Sequence, residues 1–116
     1  MIRTAFLLPL AALAFAIPAL AEGRIGTLER GDYVCELPGH AGGPARVVQP
    51  EAGFSIRSAS RYWTPKGHGT YLRRGNSVTM TSGPRNGESY VLIGRDFLRL
   101  VEDDEPGRLR CVRRTG

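Results

Sequence analysis

The chain has 116 residues, with sixteen Lys plus Arg against eleven Asp plus Glu, a formal net charge of +5 and only two cysteines. That length suits one domain rather than two, and two cysteines cannot make a four-ligand structural zinc site. The positive excess is modest and acids are interspersed with it, so the concentrated basic stripe of a nucleic-acid binder is missing.

The N-terminus reads as an export leader. Met1-Ile2-Arg3 is a short basic start, the run from Ala5 to Leu20 is apolar apart from Pro9 and Pro18, and Ala19-Leu20-Ala21 offers small residues before a cut. The run is shorter than the ~20 residues a spanning helix needs and is followed by Glu22, so cleavage after Ala21 is expected and a membrane anchor is not. Residues 1–21 are then a signal peptide and residues 22–116 a single β domain, periplasmic or secreted. No cysteine stands at the cut, and nothing after Glu22 is long and apolar enough to span a bilayer. Beyond the leader Lys66 is the one lysine among the cations. Arginine suits bidentate contact with phosphate or carboxylate, although arginines spread along a whole chain also arise from genome composition.

From there the chain alternates short strands with turn chemistry. Asp32 to Leu37 puts Tyr33, Cys35 and Leu37 on one face and Asp32 and Glu36 on the other, a half-buried strand. Pro38 to Pro44 is a loop by composition, Ala45 to Gln49 a short β-branched segment, and Gly53 to Ala59 a strand with Phe54 and Ile56 in phase. Trp63 to Gly69, with Pro65, Gly67 and Gly69, reads as a turn leading into Thr70 to Arg73. Gly75-Asn76 reverses tightly into Ser77 to Ser82, whose Val78 and Met80 should point inward. Gly83 to Gly87 is a turn, Ser89 to Ile93 and Asp96 to Val101 are strands joined by Gly94-Arg95, and Asp103 to Gly107 turns into a last strand, Arg108 to Arg113. There is no amphipathic helix.

About seven or eight short strands at this spacing predict an all-β fold, a small up-and-down antiparallel barrel or a compact sandwich. Cys35 and Cys111 lie 76 positions apart, each on the apolar face of its strand, and an oxidising compartment makes them a disulfide. A bridge needs Cα atoms within ~7 Å, so the first and last strands should be neighbours. Closing so long a loop stabilises by about 4.5 kcal/mol on the chain-entropy model.

No arrangement of residues announces catalysis, a cofactor or a metal. His40 and His68 sit in Gly-rich stretches without a partner at motif spacing. Ser82-Gly83-Pro84 lacks the glycine pattern of a nucleophile elbow, and Asp103-Asp104-Glu105 lacks the alternate spacing of a calcium loop and reads as a solvated hairpin tip. A non-catalytic protein is therefore expected. Tyr62-Trp63, beside Lys66 and His68, is the best candidate recognition surface, because rings next to cations stack on sugars or on a partner's side chains. Core packing of either ring is an equal alternative.

Two resemblances add to this reading. Gly31-Asp32-Tyr33-Val34-Cys35-Glu36-Leu37-Pro38-Gly39, Gly69-Thr70-Tyr71, Thr81-Ser82-Gly83-Pro84 and Leu109-Arg110-Cys111 together resemble a family of small uncharacterised exported proteins from alphaproteobacteria. Some members carry an elongation factor P label, at odds with an export leader and a terminal disulfide. In addition Tyr33-Val34-Cys35, Ser58-Ala59-Ser60-Arg61-Tyr62, Gly69-Thr70-Tyr71 and Cys111 fall in the order seen in periplasmic inhibitors of C-type lysozyme. That family's Gly-Ala spacer is missing, and Leu72-Arg73-Arg74 replaces its aromatic-plus-lysine stretch. The second resemblance implies that Ser60 would enter an enzyme cleft, with Arg73 or Arg74 facing an acidic catalytic group. The expected function is thus binding of an envelope component or protein partner by a monomer through Ser60, Tyr62, Trp63, His68, Tyr71, Arg73 and Arg74, with hydrolase inhibition as the alternative.

Overall fold

The alternation of apolar residues closes eight strands into one antiparallel barrel in this computed structural model, which describes residues 23–114. The expected leader therefore lies outside the described residues. The strands are β1 (Ile25–Gly26), β2 (Gly31–Pro38), β3 (Arg46–Val48), β4 (Phe54–Ser58), β5 (Arg61–Thr64), β6 (Gly67–Arg74), β7 (Ser77–Met80), β8 (Ser89–Gly94), β9 (Phe97–Glu102) and β10 (Glu105–Arg114). From β4 to β10 each strand pairs with the next, and β2 pairs with β4 on one edge and β10 on the other. The path is up-and-down, and closure removes the open edges a flat sheet would leave.

The remaining two strands are accessories. β3 shares the β4 edge of β2, with Glu36 opposite Val48 and Leu37 opposite Val47. β1 pairs with the end of β6, Ile25 opposite Arg74. Cys35 and Cys111 are direct cross-strand partners, with Cα atoms 3.9 Å apart. The bridge therefore joins the first and last strands of the barrel, although the short β1 precedes both.

Three boundaries differ from the sequence reading. Trp63 to Gly69, expected to be a turn, belongs instead to two strands: Arg61–Thr64 is a full strand, and only Pro65-Lys66 reverse the chain before Gly67, which opens β6 and pairs with Thr64. Of the glycines that suggested a loop, Gly67 takes a positive φ of 138° at the hairpin end and Gly69 is required by packing. Gly69 faces inward with the Ser82 carbonyl so close that an added Cβ would lie 2.2 Å from its oxygen. The β8–β9 turn falls on Arg95-Asp96, and β10 begins at Glu105, because Asp103 and Asp104 both adopt left-handed backbone (φ 53° and 64°) and complete a two-residue hairpin.

The barrel is filled by side chains. Val78, Met80, Leu98, Ile56 and the two half-cystines are essentially inaccessible, with Phe54 stacked on Tyr33 at 5.0 Å and tilted against Tyr90 at 5.7 Å. All four tyrosines of the chain are interior, and each hydroxyl finds a partner at a barrel end. At one end Tyr33 donates to the Glu29 carbonyl at 2.7 Å, while Tyr71 donates to the Ala59 carbonyl and accepts from the Leu28 amide at 2.8 Å. At the other, Tyr62 donates to the Ser82 carbonyl at 2.7 Å and accepts from the Arg85 amide at 2.9 Å, and Tyr90 donates to Glu88 at 2.9 Å. Burial pushes the Tyr33 hydroxyl up to about 12 and raises those of Tyr71 and Tyr90 as well.

Each end also carries a cover. Residues 23–30 cross one mouth and insert Leu28, 3% exposed. There Arg113 donates to Asp96 at 2.7 Å and to the Arg30 carbonyl at 3.0 Å. At the other mouth the 3-10 turn Pro50–Ala52 is held by Arg85, whose guanidinium lies 5.9 Å from the Phe54 ring centre. That group donates to the carbonyls of Glu51 (2.6 Å), Ala52 and Gly53 (2.7 Å).

Candidate functional site

The interior is occupied by side chains, and on the outer surface strand register lines up one row of polar and aromatic side chains. Arg114 of β10 stands opposite Asp32 of β2, Asp32 opposite Ser55 of β4, Ser55 opposite Trp63 of β5, and Trp63 opposite His68 of β6. Alternation sends all five outward, since their neighbours Tyr33, Phe54 and Tyr62 fill the core. Within the row Ser55 donates to Asp32 at 2.6 Å. The Trp63 and His68 rings lie 6.2 Å apart at a tilt of 31°, and the Arg57 guanidinium sits 5.7 Å from the Trp63 ring centre.

Beside Trp63 an open groove of about 400 Å³ is lined by Asp32, Ser55, Arg57, Trp63, Thr64 and Pro65. A second hollow, about 230 Å³, lies beyond the β5–β6 hairpin and is bordered by Glu51, Pro65, Lys66, Arg85 and Glu88. The hairpin tip thus forms a ridge between two grooves, each carrying both signs of charge. Thr64 Oγ1 accepts from the Lys66 amide at 3.0 Å and donates to the Gly67 carbonyl at 3.1 Å, which sets the shape of that ridge. An aromatic face, mixed charges and hydroxyls along an open channel can hold a polar, extended ligand by stacking and hydrogen bonding.

The seven candidate residues do not form one surface. Trp63, half-buried, and exposed His68 share the outer row. Tyr62 and Tyr71, at 0% and 4% exposure, are interior residues and can offer a ligand no ring face. For Tyr62 the core-packing alternative holds and the recognition role is corrected: Arg61–Thr64 is a strand, and period-two alternation turns Tyr62 inward as it turns Trp63 outward. Tyr71 likewise faces the core from β6. Arg73 donates to the carbonyls of Thr27 at 2.7 Å and Gly75 at 2.8 Å, so it fastens the arm 23–30 to the barrel. Arg74 is half-buried, opposite Ile25 and Ser77. Ser60 is exposed in the β4–β5 turn, its carbonyl accepting from the Tyr71 amide at 2.9 Å.

Asp32, Ser55, Arg57 and Arg85 escaped the sequence reading. The outward phase of Ser55 and Arg57 follows from that of Phe54 and Ile56, but their approach to Trp63 depends on the β4–β5 pairing. Among the described residues no three His, Cys, Asp or Glu side chains cluster as metal ligands, and no helix is long and apolar enough to cross a membrane. No protein-family model matches the chain, and neither a curated protein nor a solved structure matches it.

Proposed function

We propose that the chain is an exported, non-catalytic binding module that holds a polar component of the cell envelope, or a protein partner, along the outer row centred on Trp63. The observation that carries this reading is Trp63 itself. A ring of that size left half-exposed on a barrel whose four tyrosines are all buried, with Arg57 and His68 beside it and grooves on both sides of its hairpin, is a ready stacking platform. Mixed charge along the grooves favours a ligand bearing sugars together with carboxylates or amines, such as a glycopeptide of the cell wall. The sequence of residues 1–21 and the single disulfide support an extracytoplasmic site of action.

Trp63 is the only tryptophan in the chain, so its fluorescence reports on this site alone. Titration with peptidoglycan fragments and lipopolysaccharide should give a saturable change in its emission. Ligand at ~100 times its dissociation constant should add about 2.7 kcal/mol of stability, visible as a rise in Tm and absent in Trp63→Ala. Unchanged emission and Tm with all these ligands would remove the envelope-component reading. The alternative, inhibition of a lysozyme-type hydrolase, draws on the exposure of Ser60. It predicts that a C-type lysozyme is inhibited and that Ser60→Ala weakens inhibition while Trp63→Ala does not.

A further inference from the structure

A second feature of the outer surface adjoins the end of the Trp63 row at Arg114. Glu36 points away from the barrel interior, since its neighbour Cys35 points in, yet it is only 4% exposed. Three arginines from two strands converge on it. Arg46 of β3 places Nη1 3.3 Å from Oε1, Arg110 of β10 places Nε 3.0 Å from Oε2, and Arg114 of β10 places Nη2 3.8 Å from Oε1.

A buried carboxylate costs several kcal/mol of desolvation unless cations compensate it, so this group positions the arginines as much as they retain it. Each guanidinium gives Glu36 a single nitrogen, and their side chains remain 50%, 31% and 44% exposed. The unused N–H groups face solvent from a planar fork suited to oxyanions. Three positive charges against one negative leave the cluster at +2. Arg99, opposite Arg110, adds further positive charge while its Nε donates to the Gly107 carbonyl at 2.9 Å. The acid nearest in register, Asp32 opposite Arg114, already accepts from Ser55.

We propose that Arg46, Arg110 and Arg114, held around Glu36, form a binding site for a phosphate-type dianion. A phosphomonoester carries ≈ −1.5 to −2 charge at pH 7 and three acceptor oxygens, matching the residual charge and the three donors. The source is either free phosphate or a phosphorylated headgroup on a membrane surface.

The test is a titration of the oxidised, isotope-labelled protein with inorganic phosphate, against chloride at equal ionic strength, followed by NMR of the backbone amides and arginine Nε–H groups. Saturable shifts confined to β2, β3 and the C-terminal half of β10 are expected, weakened at least tenfold by Arg114→Gln and unchanged by Arg61→Gln in β5, two strands away from β2. Arg114 makes the longest of the three contacts, so its variant should keep the wild-type Tm. Arg46→Gln serves as a second variant if it does not. Vesicles containing phosphatidic acid should bind, with phosphatidylcholine vesicles as the blank, if the source is lipid, and should not if it is free phosphate. Non-saturable shifts, or shifts equal in chloride, would overturn the proposal, as would binding that survives both Arg114→Gln and Arg46→Gln. Trp63→Ala leaves this binding unchanged, so the two sites succeed or fail separately.

Discussion

The inside of the barrel and its outer face spend their aromatic and charged groups in opposite ways. Inside, every tyrosine hydroxyl is paired, and Arg85 gives its guanidinium to three carbonyls of one turn. A polar tip left unpaired in the core would cost on the order of 1–3 kcal/mol, so the tyrosines can be buried only because their hydroxyls reach the barrel ends. Outside, Trp63 keeps a half-exposed ring, and the arginines around Glu36 each spend one nitrogen and hold the rest toward water. Interior groups are committed to holding the fold, which leaves the outer row and the arginine cluster as the groups free to meet a ligand.

If that division holds, interior changes should cost stability and exterior ones should cost binding. The largest expected effect is loss of the disulfide. Replacing Cys35 and Cys111 together by Ala should lower unfolding free energy by about 4.5 kcal/mol at most, measured by urea denaturation. Arg85→Ala should cost about 3 kcal/mol, since charged donors are withdrawn from three carbonyls over the barrel mouth. A cost below ~0.5 kcal/mol would mean that this end is not sealed as described. Tyr62→Phe keeps the ring but strands the Ser82 carbonyl and the Arg85 amide, and should cost about 2 kcal/mol with little change at the Trp63 surface.

Alkaline titration sharpens the same contrast. The folded protein holds the Tyr33 proton up to about pH 12, whereas an unfolded tyrosine releases it near 10. Above pH 10 the unfolded state binds fewer protons, so stability is intact below 10 and falls as pH rises toward 12. Ionisation of Tyr33, followed by NMR of its labelled ring, should therefore appear together with loss of structure. Tyr33 ionising near pH 10 in a protein that stays folded would refute the burial argument. The smallest stability effect belongs to Trp63→Ala. It should cost under ~1 kcal/mol, the scale of an exposed cation–π contact, while abolishing the response to a ligand held along the Trp63 row.

Much of the scaffold was legible before any coordinates. The alternation of Tyr33 and Cys35, of Phe54 and Ile56, and of Val78 and Met80 marked inward faces correctly, because period-two patterning is a local property of a strand. Gly75-Asn76 marked a reversal for the same kind of reason, and the turn read over Asp103 to Gly107 closes within its first two residues. The site was less legible. Tyr62 and Trp63 are adjacent in sequence and point to opposite sides of the barrel wall, and the glycines after them suggested a loop where Gly69 is demanded by close packing against Ser82.

By itself, then, the sequence determined an all-β chain, the inward phase of most strands and a covalent link between the first and last barrel strands. Those properties depend on neighbours a few residues away or on the chemistry of two cysteines. Tertiary structure alone decided that the barrel is filled, that Arg85 and residues 23–30 cover its mouths, and that Arg114, Asp32, Ser55, Trp63 and His68 form one row. It also decided that Arg46, Arg110 and Arg114 meet on Glu36. Each of these joins residues from different strands, and register, which sets who stands opposite whom, is chosen by the packing of the whole barrel rather than by any one segment.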